Sequence, residues 1–223
     1  MSCWETIQNE IEQCRRCEEA KVPYLEVPEK KRHPSFPPPQ PTRLLFISVA
    51  PPCGGSYFWD DTRPDGLRKG LLEALNEVLK KTGQRISDLS EFREQGFFLV
   101  PAVKCPSCEN GKDHHPASEA VKNCAEFLRK ECEILSPERI LALGKIPMRS
   151  VSEAFNIKIP PRVERFREKP FWVTHGDREI PLAGTYFPGN KRHRGFEYIV
   201  QDIREILSKS PKPIREESAA INF

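Results

Sequence analysis

Arg43-Leu-Leu-Phe-Ile-Ser-Val49 is the stretch on which the fold turns. It is a nearly continuous apolar run bounded by Thr42 and Pro51, which suits a strand buried on both faces of a sheet. Phe97-Phe-Leu-Val-Pro-Ala-Val103 and Arg139-Ile-Leu-Ala-Leu143, the latter ending at Gly144, have the same character. Helical patterns lie between and after these runs. Residues 66–81 place Leu67, Leu71, Leu72, Leu75 and Leu79 at helical spacing, with Gly83 as a stop. Residues 118–135 set Val121, Ala125 and Leu128 opposite Glu119 and Glu126, and a short helix follows Gly144 through Phe155. Strand and helix alternating three times predict an α/β fold, a three-layer α/β/α sandwich with a central, mostly parallel sheet.

The flanks carry weaker signals. Trp4, Ile7 and Ile11 predict a short amphipathic helix that ends at Cys14-Arg-Arg-Cys17. Residues 23–42 hold Pro28, Pro34, Pro37-Pro38-Pro39 and Pro41, so they read as an extended connector laid over the domain. Beyond residue 160, Phe171-Trp-Val-Thr174 and Ile180-Pro-Leu-Ala-Gly-Thr-Tyr186 read as two strands around the turn Gly176-Asp177, and a last helix spans about 195–207. The expected organisation is one domain over residues 1–207 and a disordered tail over 208–223.

The 223 residues are 38% hydrophobic and 30% charged, and no run approaches the ~20 apolar residues of a membrane helix. No membrane partner is expected. The N-terminus has acidic residues and no apolar stretch of the secretory kind, which predicts a cytoplasmic protein; a monomer is expected. Its eight cysteines are then expected to stay reduced, which directs attention to metal binding or a reactive thiol. A net charge of +3 is too small to predict nucleic-acid binding from charge alone.

Cys14 and Cys17 are separated by two residues, and Cys105 and Cys108 repeat that spacing. Two such pairs suit a tetrahedral zinc site. Cys14, Cys17, Cys105 and Cys124 form an alternative set suited to an iron-sulfur cluster, and spacing does not choose between them. Cys132, Cys3 and Cys53 fit the plainer role of small hydrophobes.

Several segments, in order, resemble the iron-sulfur branch of the uracil-DNA glycosylase superfamily, families 4 and 5. Cys14 and Cys17 resemble the first ligand pair. Leu44-Leu-Phe-Ile-Ser-Val-Ala-Pro-Pro52 resembles the strand and loop that shape the base pocket, which places Ala50 and Pro51 there. Val103-Lys-Cys105 resembles the segment with the third ligand, Cys124 falls where the fourth is expected, and Ile140-Leu-Ala-Leu-Gly-Lys145 resembles the third strand and its turn. The resemblance implies a 4Fe-4S cluster in preference to zinc, DNA as partner, and excision of uracil or another deaminated base. There are departures. Pro101 and Ala102 stand where the families place a base-reading asparagine, and Tyr186-Phe-Pro-Gly-Asn190 replaces a motif opening with His-Pro. Phe187 has no hydrogen-bond donor. Val49 stands where family 4 has a carboxylate, and Ser56 follows Gly54-Gly55 where family 5 has an asparagine.

Hydrolysing an N-glycosidic bond calls for a flipped base, an aromatic wall and electrostatic help, commonly with a carboxylate to orient water. Tyr57, Phe58 and Trp59 are candidates to stack on the base, and Asp60, Asp61 and Asp65 to position water. The plainer alternative has the aromatics covering the core and the aspartates capping the helix that starts near Gly66. Asn190 is a further candidate for the base pocket. Lys191, Arg192, His193 and Arg194, just before the last helix, are candidate phosphate contacts, and His193 is also a stand-in for the absent histidine. Lys112-Asp-His-His115 loosely resembles the His-bearing insertion of the sugar-trapping family X, with solvated histidines as the alternative. Two functions follow: a DNA glycosylase with a variant pocket, or a member that binds nucleic acid or a modified base without cleaving it.

Overall fold

The computed structural model describes residues 2–29, 31, 34, 36–168, 170–189 and 195–214. The chain begins with α1 (Cys3–Gln13), where the Ser2 hydroxyl accepts the Glu5 N–H and the Glu5 carboxylate accepts the Ser2 N–H. That reciprocal capping box satisfies two of the N–H groups a helix start leaves over. A single turn, α2 (Arg16–Glu19), carries Cys17 inward. The connector that follows has no helix or ladder strand among its described residues, as its prolines predict; an isolated bridge joins Leu25 to Ser107.

Next come β1 (Leu44–Ser48), α3 (Gly66–Leu79), a 3-10 turn at Lys80–Thr82, α4 (Leu89–Glu94) and β2 (Phe97–Pro101). A small hairpin, β3 (Cys108–Glu109) and β4 (Lys112–Asp113), precedes α5 (Ser118–Leu135), β5 (Ile140–Leu143) and α6 (Lys145–Phe155). The chain continues through α7 (Val163–Arg167), β6 (Phe171–His175), β7 (Arg178–Thr185), α8 (Phe196–Leu207) and β8 (Lys212–Pro213). Every residue of β1, β2 and β5 is buried, as expected for strands covered on both faces.

The main sheet has the order β2-β1-β5-β7-β6. The first four strands are parallel, with Phe46 opposite Leu99 on one side and Leu141 on the other, while β6 returns antiparallel to β7. Helix α3 packs on α8, and α5 packs on α6 and α1, which completes the layers around the sheet. Tail residues Lys212 and Pro213 pair with Glu179 and Arg178, so the start of the stretch expected to be disordered is an edge strand; residues 215–223 lie outside the described residues.

The core is unusually aromatic where β1 and β2 meet α4. Phe46, Phe97 and Phe98 of the strands lie against Phe92 and Trp59, and the Trp59 indole N–H donates to the Leu99 carbonyl at 3.1 Å. Phe58 is 1% exposed and packs edge-on against Trp59 and Phe92.

This topology positions the site. From β1 the chain passes to β2 on one side, and from β2 it crosses to β5 on the other. The order therefore reverses between β1 and β5. Loops leaving the carboxyl ends of those two strands must diverge, and the crevice between them is where open α/β sheets bind ligands.

Candidate functional site

A cleft of about 1470 Å³ occupies that crevice. Its floor is the loop after β1, Ser48 to Pro52, and the turn after β5, where Gly144 takes a positive φ of 102° before α6 begins. Gly144, at the cap position of α6, has no side chain to cap the helix, and Lys145 and Ile146 of its first turn line the cleft. Tyr186, Phe187, Pro188 and Gly189 after β7 form one wall, with Phe196 and Tyr198 of α8. A buried network holds that wall. Asp202 accepts from Thr185 Oγ1 and from Arg167 Nε, each at 2.6 Å, and the Arg167 guanidinium lies 4.5 Å from the centre of the Tyr198 ring. At Gly70, which packs against the wall loop, an added Cβ would come within 2.1 Å of the Pro188 carbonyl oxygen.

The opposite wall is the hairpin. Cys53 and Cys108 form a disulfide, which corrects the expectation that all eight cysteines are reduced. The Cys53 N–H donates to Asp113 Oδ1 at 2.7 Å, and Asp113, His114 and His115 all line the cleft. His114 also lies against Tyr24 of the connector, with ring centres 4.0 Å apart and planes tilted by 35°. The hairpin has no apolar periodicity; the Asn110-Gly111 turn was its one signal in the sequence.

Among the predicted site residues, Ala50 and Pro51 line the cleft, as does Asp65. Asp65 also accepts the Arg68 N–H at 2.9 Å as the cap of α3, the plainer of the roles weighed for the aspartates. Burial raises its pKa, the Arg68 N–H and guanidinium pull it back, and the like charge of Asp113 adds to the rise. Asp60 and Asp61 are elsewhere. Asp60 accepts from Thr62 and Arg63 in a tight turn, whose hydrogen bonds depress its pKa, and Asp61 pairs with Arg68 at 2.7 Å. Tyr57 and Phe58 are corrected as pocket residues: both are buried in the core beside Trp59, because three consecutive bulky rings gain more from the interior than from solvent. Asn190, Lys191, Arg192, His193 and Arg194 lie outside the described residues.

A second, smaller cavity is lined by Cys14, Cys17, Cys105 and Cys124, together with Lys31, Lys104 and Asn123. The four thiols come from the α1–α2 junction, the segment after β2 and the first turns of α5, and none is in a disulfide. Asn123 Nδ2 donates to Cys17 Sγ at 3.4 Å. Burial pushes the Cys105 thiol up to about 12 and that of Cys124 to about 11. Among the described residues no three His, Cys, Asp or Glu side chains stand close enough to hold a single metal ion. Four cysteines lining one cavity are nonetheless the donor set that an iron-sulfur cluster would take. Cys108, the other cysteine of the downstream pair, is committed to Cys53.

No helix among the described residues is long and apolar enough to cross a membrane. The family model of the uracil DNA glycosylase superfamily matches residues 34–207. The chain is 21% identical over 194 residues to the type-4 uracil-DNA glycosylase of Archaeoglobus fulgidus, covering 87% of this chain and 85% of that protein. It is 26% identical over 168 residues to the type-4 uracil-DNA glycosylase of Thermotoga maritima, covering 75% and 77%. It is 28% identical over 111 residues to the type-5 uracil-DNA glycosylase of Pyrobaculum aerophilum, covering 49% and 47%.

Proposed function

Because the chain belongs to the uracil-DNA glycosylase superfamily, we propose that it is a DNA glycosylase that hydrolyses the N-glycosidic bond of uracil or another deaminated base turned out of DNA into the cleft. The observation that carries this reading is Asp65, a carboxylate half-sunk in the crevice between the ends of β1 and β5. In this reading Asp65 accepts a proton from water as the water oxygen bonds to C1′ and the C1′–N bond breaks. Its negative charge also favours the cationic sugar that forms on the way. The N–H groups at the start of α6, which Gly144 leaves without a side-chain cap, present the positive end of the helix to the departing base, which leaves with the bonding pair and is then protonated. Ala50 and Pro51 form the floor beneath the base. Asn190 and the basic run Lys191, Arg192, His193 and Arg194 supply the base and phosphate contacts.

The second reading, binding without excision, rests on the absence of side-chain donors at Phe187 and Pro101. One assay separates the two. Purified protein is incubated with single- and double-stranded oligonucleotides carrying uracil, hypoxanthine or xanthine, and abasic sites are then cleaved with alkali. Scission at the modified base supports the glycosylase; retarded mobility with no scission on any substrate sinks it and leaves the binding reading.

The same reading assigns Cys14, Cys17, Cys105 and Cys124 to a 4Fe-4S cluster. When bound, that group would cross-link the N-terminal segment to the sheet and to α5, supplying rigidity and no chemistry in the cleft. A brown protein with broad absorbance near roughly 400 nm supports it, and a colourless protein with one zinc per chain rejects it. C124S should abolish the absorbance and C108S should leave it.

A further inference from the structure

Lys31 and Lys104 both line the four-cysteine cavity, and both are buried, at 4% and 5% exposure. Buried ammonium groups are rare because the charge must be met by something other than water. For Lys104 the charge is met. Its Nζ donates to the Pro101 carbonyl at 2.5 Å and forms an ion pair with Glu131, itself buried on α5. For Lys31 it is met less directly. Its Nζ donates to the carbonyl oxygens of Glu12 at 2.9 Å and Cys14 at 2.8 Å, and its backbone N–H donates to the Glu12 carboxylate at 3.0 Å, but among the described residues no carboxylate pairs with the ammonium itself. Two carbonyl dipoles satisfy two of three N–H donors, and the nearby carboxylate is spent on the backbone.

Lys31 lines the same cavity as the sulfurs of Cys14, Cys17, Cys105 and Cys124. Four neutral thiols would not offset a buried cation. Four thiolates on a metal centre carry more negative charge than the metal core cancels, and would. We infer that Lys31 is the counter-cation of the four-cysteine centre, and that loading the centre tightens the hold on the connector at this point, where the Glu12 carboxylate and the Glu12 and Cys14 carbonyls also grip it. The inference rests on the reading that these cysteines are ligands. It adds the residue that balances them and gives a reason why a lysine from a proline-rich connector is drawn inside.

Two consequences are measurable. Removing a positive charge beside an anionic cluster disfavours its more negative, reduced form, so the midpoint potential must fall. Emptying the centre must weaken the hold on Lys31 and expose it more often to water and to trypsin, which cleaves after lysine. The experiment compares wild type, K31M and K31R, purified anaerobically, for iron, sulfide and zinc content and for midpoint potential in a dye-mediated titration. Tryptic cleavage after Lys31 is timed by mass spectrometry in loaded wild type, in C124S, and in wild type stripped with ferricyanide and chelator, with folding checked by circular dichroism. The expected results are a more negative potential or reduced loading in K31M, restoration in K31R, and cleavage after Lys31 roughly tenfold faster in the stripped protein and C124S. If wild type carries zinc, chelator-driven zinc release takes the place of the potential and should be faster in K31M. Loaded K31M with wild-type loading and potential, together with cleavage after Lys31 that ignores the centre, overturns the counter-cation while leaving the ligands standing. Wild type that binds neither iron nor zinc overturns both.

Discussion

The Cys53 N–H donates to the Asp113 carboxylate at 2.7 Å, and the same Cys53 is joined by a disulfide to Cys108 on the neighbouring strand of the hairpin. One residue of the loop after β1 thus holds the opposite wall of the cleft twice, once through its backbone and once through its side chain. The bond closes a loop of 55 residues, which restricts the unfolded chain. Reduction should therefore lower the stability of the wild type by about 2–4 kcal/mol and leave the C53S/C108S double variant unchanged. Urea unfolding with and without dithiothreitol measures both. Equal midpoints for wild type in the two conditions would refute the clamp.

Asp65 caps α3 and lines the cleft, and asparagine separates these roles because it caps as well as aspartate but cannot take a proton. D65N should lower base excision by roughly 10²-fold or more with stability nearly unchanged, while D65A should add about 1 kcal/mol of destabilisation. Burial raises the folded-state pKa of Asp65 above its unfolded value. Between those two values the folded protein holds more protons, so stability falls as pH rises through the window, and D65N should remove that part of the slope. A wild-type rate in D65N would reduce Asp65 to a cap.

Phe187 is 40% exposed on the cleft wall, next to Gly144 and Gly189. Histidine there introduces a donor without enlarging the side chain. F187H should raise kcat/KM on uracil DNA by up to about tenfold, the worth of one hydrogen bond. Single-turnover excision assays read the change, and an unchanged or lower rate would show that the wall does not reach the base.

Gly70 lets α3 approach the Pro188 carbonyl closely. G70A should destabilise the protein by about 1–3 kcal/mol through overpacking, although alanine is the better helix former. Thermal unfolding tests the sign: a stabilised G70A would mean that the 186–189 loop moves aside freely.

The three runs that became β1, β2 and β5 were legible because a strand covered on both faces must be apolar at nearly every position, a constraint written in consecutive residues. The helix at 118–135 was legible for the same kind of local reason, since its periodicity marks one face for burial. The 4Fe-4S ligand set was suggested by spacing and family likeness, and the four thiols do share one cavity. The cleft was less legible. Tyr57, Phe58 and Asp61 look the same in a list whether they face a ligand or the core; in the fold Tyr57 is buried, Phe58 packs against Phe92 and Asp61 pairs with Arg68. Asp113, the Cys53–Cys108 bond and the burial of Lys31 depend on segments brought together from distant parts of the chain. Local pattern records what each segment must bury; which charges and thiols then meet depends on how the loops cross at the ends of β1 and β5, and that is a property of the assembled sheet.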